Sequence, residues 1–154
     1  MRKFVLQVRD LDLIEEELKS NPAGVFALGL ENEKVVQVAT TFLYLDKNIY
    51  IFFNEEDEFY DSIQFDAGVT FTILRYGNTD KSKSVDFDPT YNLFSISIKG
   101  IVKKVEEIKL IEDLRKNYIN KYQKSNEGKI DYSILAKVIL IDTEEIQAVE
   151  ETGG

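Results

Sequence analysis

The sequence predicts a mostly β protein: a six-stranded antiparallel barrel with helices at its periphery. Three observations carry that expectation. Apolar runs rich in Val, Ile, Phe and Tyr recur between short polar turns. Two of them, Val69 to Tyr76 and Leu93 to Val105, alternate apolar and polar side chains at the period of a half-buried strand. Three segments read as helix, and six strands with three helices in this order suit a small closed sheet with helices outside it.

Taken along the chain, the first helical signal is Asp10 to Ser20. Leu11, Ile14 and Leu18 form one apolar stripe there, and Asn21-Pro22 ends it. Gly24 to Leu30 is apolar on both faces, as a buried strand is. Glu31 to Lys34 is a polar turn, Val35 to Leu45 the second strand, Asp46-Lys47-Asn48 a hairpin turn and Ile49 to Phe53 the third strand. Together these predict a three-stranded antiparallel meander. Asn54 is placed to cap a short helix, whose buried side is Phe59 and Ile63, four residues apart. In the strand Val69 to Tyr76, Val69, Phe71 and Ile73 oppose Thr70, Thr72 and Leu74. Gly77 to Thr90 is a long polar loop. In Leu93 to Val105, Phe94, Ile96 and Ile98 face the core, Ser95 and Ser97 face away, and Gly100 marks a bulge or bend. Glu106 to Lys124 is the longest helix. Its stripe of Leu110, Leu114, Tyr118 and Tyr122, with Ile111 beside them, packs on the barrel. Ser125 to Gly128 closes that helix. Ile134 to Ile141 is the last strand, and the acidic stretch 142–154 is expected to be a solvated or frayed tail.

Composition narrows function. The 154 residues are expected to form one domain, and 44% of them are hydrophobic. No run reaches the about 18 apolar residues of a membrane span, and the charged start lacks the apolar core of a secretory signal, so the cytoplasm is the expected location. The chain has no cysteine and no histidine. That excludes thiolate nucleophiles, Cys-ligated zinc, Ser-His-Asp triads and imidazole bases. Chemistry carried by a bound organic cofactor stays open. The formal net charge is −9, and the basic residues are scattered. Neither nucleic acid nor an anionic membrane surface is an expected partner.

The stretch "NIYIFFNEEDEFYDSI" at 48–63 joins a strand, a short helix and then the strand "GVTFTIL". A long glycine-bearing strand, "FSISIKGIVKKV", and a long helix follow. This order resembles the pyridoxamine 5′-phosphate oxidase-like family of FMN-binding split barrels, from the helix at Asp10 to the last strand. The resemblance implies a six-stranded split barrel, a homodimer and FMN at the dimer interface. It implies flavin contacts at Gln37 in the basic position of strand two, at Val38, Ala39, Thr40 and Thr41 beside the ring, and at Phe52, Phe53 and Asn54 on strand three. It places the family's Ser-Arg-Lys phosphate run on Asp57, Glu58 and Phe59.

Those last three positions carry no positive charge, and Glu55, Glu56, Asp57 and Glu58 surround the start of the short helix. Acids there compensate the helix dipole and repel a phosphate. A flavin phosphate then needs another cation, for which Lys34, Arg75 and Lys99 are candidates; each is also readable as a solvated surface charge. Tyr44, Tyr50, Tyr60 and Tyr76 read either as barrel-wall aromatics or as the lining of a flavin or substrate pocket. Two functions follow. One is an FMN-dependent oxidoreductase acting on a small molecule. The other is a cofactor-free split barrel that serves as a ligand-binding or interaction module.

Overall fold

The computed structural model describes residues 2–30, 32–77, 90–123 and 135–154. The interior of the polar loop predicted from Gly77 to Thr90, the helix-closing motif at Ser125 to Gly128 and the predicted strand start at Ile134 lie outside these residues. The elements are β1 (Lys3–Val8), α1 (Leu11–Ser20), β2 (Gly24–Gly29), β3 (Val35–Thr40), β4 (Leu43–Leu45), β5 (Asn48–Phe53), α2 (Glu58–Asp61), β6 (Gly68–Gly77), β7 (Tyr91–Lys104), α3 (Ile108–Tyr122) and β8 (Lys137–Gly153). The fold is mostly β, a half-open antiparallel barrel with few helices, as expected. Among the described residues it has eight strands rather than six.

One sheet runs β3-β2-β6-β7-β8-β5-β4, with β1 paired to β8 beside this path. The alternation read in β6 and β7 holds. Phe71, Ile96 and Ile98 are fully buried, with Ile73 and Phe94 close to it. Thr72 and Ser97, partners in register, point to the opposite face with their hydroxyls 3.4 Å apart. The bulge expected at Gly100 falls between Lys99 and Gly100. Only glycine fits there, because a Cβ would sit 2.2 Å from the Asp142 carbonyl oxygen.

Four expectations are corrected. First, the meander does not form. The run 35–45 breaks at Thr41-Phe42, so β3 and β4 lie at opposite ends of the strand order. Phe42 is fully buried with its ring 4.9 Å from that of Phe71, and burying it turns the backbone out of the strand. The expected antiparallel pairings on either side of the break survive, β2 with β3 and β4 with β5, the second with its two-residue turn held by positive φ at Asp46 and Lys47. Second, the acidic tail is not frayed: β8 runs on to Gly153, paired with β7 on one side and β1 on the other. Ala148 and Thr152 point into the core, while Glu151 reaches Lys3 on β1. The ladder satisfies the backbone and leaves the acids on exposed or half-exposed positions. Third, the segment before the first expected helix, to which the sequence pattern assigns no element, is a strand, and Arg2 before it pairs with Gly154 through Arg2 N–H to Gly154 O (2.7 Å) and Gly154 N–H to Arg2 O (3.0 Å). Fourth, Asp57, not Asn54, caps α2; its carboxylate accepts the Phe59 N–H at 2.9 Å.

The helices cover selected parts of the sheet. Asp10 caps α1, which buries Ile14 and Leu18 but leaves Leu11 exposed in its first turn. The α3 stripe packs on β4, β5 and the start of β8, with Leu114 buried among Leu43, Tyr50 and Val138. Truncating a central side chain tests the barrel core. Ile96→Ala is expected to cost about 2–5 kcal/mol in equilibrium denaturation. A loss below about 0.5 kcal/mol, the size of a surface substitution, is incompatible with the register.

Candidate functional site

The two faces of the sheet differ in cover. Outside β4, β5 and the first part of β8 lies α3. Outside β3, β2, β6 and β7, the described residues place no helix. Val25, Leu74 and Val35 on this side are 40%, 60% and 76% exposed. The registers set Val25 beside Ala39 and Thr72, Ala27 beside Gln37 and Thr70, and Leu74 beside Ser95. All of these are uncharged. Lys99 is the charge at the far end of this face, beside Thr70; the part around Val25, Ala39 and Leu74 is small and uncharged, and such a surface suits another surface better than water.

Two clefts open along this face. One, of about 550 Å³, lies where α1 ends against the sheet, and its lining includes Ala23, Gly24, Ala39, Leu74, Arg75 and Tyr76. Gly24 lets the backbone approach closely; a Cβ there would meet the Phe71 ring at 2.3 Å. Asn21 shapes the turn at this end. Its amide donates to the Leu74 carbonyl and its oxygen accepts the Ala23 N–H, both at 3.1 Å. The second cleft, about 470 Å³, is lined by Ala27, Val35, Thr70, Lys99 and Glu144, among others.

The structure divides the residues singled out from sequence. On β3, Gln37 and Ala39 are exposed on the uncovered face, while Val38 and Thr40 are half-buried on the other. Thr41 is exposed at the corner, its hydroxyl 2.7 Å from the Tyr118 hydroxyl of α3. Phe52 also meets Tyr118, with ring centroids 5.1 Å apart. Phe53 points into the barrel and is 7% exposed. Asn54 is exposed. Asp57 is occupied as the α2 cap, and Glu58 is exposed behind it. Phe59 packs between Phe26 (6.0 Å) and Phe53 (6.1 Å). So Phe53 meets Phe59 and Thr41 meets Phe52 through Tyr118, while Ala39 alone of the set lines the larger cleft. The α2 positions do not fit a phosphate, because one is a carboxylate already used as a cap and another is a ring within the aromatic packing.

The candidate cations and tyrosines also separate. Lys34 is exposed, Lys99 lines the smaller cleft, and Arg75 lines the larger one while paired with Glu17. Tyr44 and Tyr50 are 6% exposed wall residues, and burial pushes both phenols above their ordinary range. Tyr60 sits against Phe53 and Phe65. Tyr76, 66% exposed, is the one of the four that offers its ring to a cleft.

Sequence reading missed two groups. Lys137, from the start of β8, lies over the Tyr60 ring and 3.6 Å from Asp61, so α2 has a neighbouring cation only in space. At the Thr41-Phe42 corner, Lys121 donates to the Phe42 carbonyl at 3.0 Å and lies 3.7 Å from the Phe42 ring centroid. The Tyr122 hydroxyl accepts the Phe42 N–H (3.1 Å) and lies within bonding reach of the Pro22 and Phe42 carbonyls (2.8 and 2.9 Å). The four-residue spacing of Tyr118 and Tyr122 was visible, but nothing local says that their hydroxyls reach a corner about 80 residues away. Among the described residues no group of acids could hold a metal, and no helix is long and apolar enough to cross a membrane.

No family model and no curated protein sequence matches this chain. Solved structures do. A "putative 5-nitroimidazole antibiotic resistance protein" from Bacteroides thetaiotaomicron superposes with a TM-score of 0.70 at 15% identity, over 99% of this chain and 90% of that one. An FAD-binding protein from Mesorhizobium loti gives 0.66 at 15% identity, over 96% and 98%. A "putative pyridoxamine 5′-phosphate oxidase" from Corynebacterium glutamicum gives 0.61 at 15% identity, over 100% and 98%. The fold of this chain is therefore the split barrel of the pyridoxamine 5′-phosphate oxidase-like proteins.

The corner provides a pH test. Burial lowers the Lys121 pKa from 10.5 to about 8. Between these values the unfolded chain holds a proton that the folded chain has released, so this group's contribution to stability rises with pH across that window and is flat below it. Comparing the wild type with Lys121→Met by chemical denaturation at pH 7, 8, 9 and 10, the wild type should gain on the variant steadily above pH 8. A constant difference across the series would show that Lys121 does not titrate there.

Proposed function

We propose that this protein is a flavin-binding split barrel that works as a cytoplasmic homodimer, an FMN-dependent oxidoreductase acting on a small molecule. The observation that carries the reading is the uncovered outer face of β3, β2, β6 and β7, uncharged around Val25, Ala39, Thr72 and Leu74, with a cleft of about 550 Å³ at its margin. Ligand sites typically fall between about 300 and 1,000 Å³. A second copy on this face would cover exposed Val25 and Leu74 and deepen the cleft. The names of the neighbours lend support: one is an FAD-binding protein and another a pyridoxamine 5′-phosphate oxidase by designation. Of the positions carried over for the ring, Ala39 is the one that borders the cleft. Chemistry on a substrate would belong to the flavin.

The misfit at Asp57, Glu58 and Phe59 favours the second reading, a cofactor-free ligand-binding or interaction module. Purified protein separates the two. The flavin reading expects a yellow protein, or one that takes up one FMN per chain and shows the flavin absorption bands. A colourless protein that neither copurifies with nor takes up flavin leaves the module reading. The dimer is tested apart from the ligand. Ser97→Arg puts a charge on the uncovered face without entering the core. It should move the sedimentation coefficient from dimer to monomer at micromolar concentration with little change in melting temperature. A stable dimer interface buries about 1,000 Å² or more in total, so a wild-type protein that sediments only as monomer removes this interface.

A further inference from the structure

The sheet has an open edge at β1. Arg2 and Gly154 exchange both backbone hydrogen bonds, Arg2 N–H to Gly154 O and Gly154 N–H to Arg2 O. In an antiparallel ladder, bonded and non-bonded pairs alternate. The register runs on from that pair without a shift. Phe4, Leu6 and Val8 therefore bond to β8, and Lys3, Val5 and Gln7 aim their N–H and C=O groups away from it. Among the described residues β1 pairs with β8 alone. Natural sheets blunt such an edge with proline, a bulge or a charge in the middle of the strand. β1 has none of these. Its middle is Phe4-Val5-Leu6, 39%, 58% and 41% exposed. An edge of that kind suits strand addition, in which an extended segment takes up the unused backbone groups.

The charges around the edge select its partner. Residues 2–9 hold Arg2, Lys3 and Arg9 and no acid, in a chain with a formal net charge of −9. Lys3 is paired with Glu151. Arg9 donates to the Gln7 side chain at 3.2 Å. Among the described residues neither Arg9 nor Arg2 has an ion pair. Acids close by in chain or register are engaged: Asp10 caps α1, and Glu150, opposite Leu6, accepts from Asn92. Two guanidiniums therefore bracket the apolar middle, about 23 Å apart along an extended strand. Charges elsewhere on the molecule are screened beyond about 8 Å at physiological ionic strength, so these two dominate what an approaching strand meets. On its other edge β1 already lies against an acidic strand, with Glu151 and Glu150 opposite Val5 and Leu6. A second copy of β1 is a poorer match, because it would bring three more cations to the same edge.

We propose that β1 is a docking edge for an extended segment of another protein, one with an apolar middle and carboxylates at both ends, which joins the sheet as a further strand. The outward backbone groups of Lys3, Val5 and Gln7 hold its main chain, Phe4, Val5 and Leu6 meet its apolar side chains, and Arg2 and Arg9 take its acids. This interaction is independent of the flavin reading.

The probe is a fluorescein-labelled peptide, EDVTVTVDE, titrated with the full chain and read by fluorescence anisotropy. It should bind at least about tenfold more tightly than KKVTVTVKK, and the difference should shrink at high salt. The acidic peptide with every central amide N-methylated should lose about tenfold or more in affinity, because it keeps the side chains but not the donors. Val5→Pro removes an outward N–H without removing a ladder bond to β8, a place where an edge strand tolerates proline. It should weaken the acidic peptide by about tenfold with the fold kept, as read by circular dichroism and melting temperature. The N-methylated peptide tests the same bonds on wild-type protein if that variant does not fold. Arg2→Glu with Arg9→Glu should reverse the preference between the two charged peptides. The proposal is overturned if the acidic peptide does not bind by about 1 mM, if its N-methylated form binds equally well, or if the double arginine variant leaves the preference unchanged. Sedimentation of wild type and Val5→Pro should give the same coefficient. A smaller species for Val5→Pro would show that a second copy closes the edge, which also overturns it.

Discussion

The architecture turns on the burial of one side chain, Phe42. A strand that ran straight from Val35 to Leu45 would make a flat hairpin meander. With the Phe42 ring sunk against Phe71, the chain leaves one end of the sheet and re-enters at the other. The bend costs backbone hydrogen bonds, and those are met from outside the sheet. Tyr122 takes the Phe42 N–H, and Lys121 and Tyr122 reach its carbonyl. An amide and a carbonyl left without partners at a buried corner would each cost about 1–3 kcal/mol. Helix α3 is therefore committed to the corner and to the outer side of β4 and β5. The outer side of β3, β2, β6 and β7 is left without it.

Much of the barrel was legible because its central strands obey the simplest rule. In β6 and β7 one face meets the core and the other does not, so a period of two is written in the residues themselves. The failures occur where that rule is silent. The strand Lys3–Val8 has no buried position, and its apolar side chains on both faces match no single template. The end of β8 carries few apolar residues because its hold on the molecule is the backbone ladder to β7 and β1, which composition does not record. The turn at Thr41-Phe42 contains neither glycine nor proline. It is made by a tertiary contact that no window of sequence contains.

The candidate site shows the same limit more strongly. Counting along the chain put the phosphate positions on α2, and those residues turn out to serve the fold: a carboxylate that caps, a phenylalanine inside an aromatic cluster. Charge in the sequence was read as hostile to an anion there. What sequence could not supply was the meeting of Arg75 with Glu17 and Phe94, residues that lie 58 and 19 positions away. Each alone is an ordinary residue of its type. Their arrangement separates an oriented guanidinium from a solvated one, and it exists only in three dimensions.

The pairing of β1 with β8 has a consequence in time. Lys3 lies opposite Gly153, so the first strand of this sheet to be made has no partner until β8 follows it. Loops of this length close slowly, and every native contact of this ladder waits for that closure. During synthesis Phe4, Val5 and Leu6 travel as an apolar β-prone segment with both edges open, a template for strands of other chains. The barrel's last-formed ladder is thus also its longest exposure to error, set by connectivity rather than by the strength of any contact in the finished molecule.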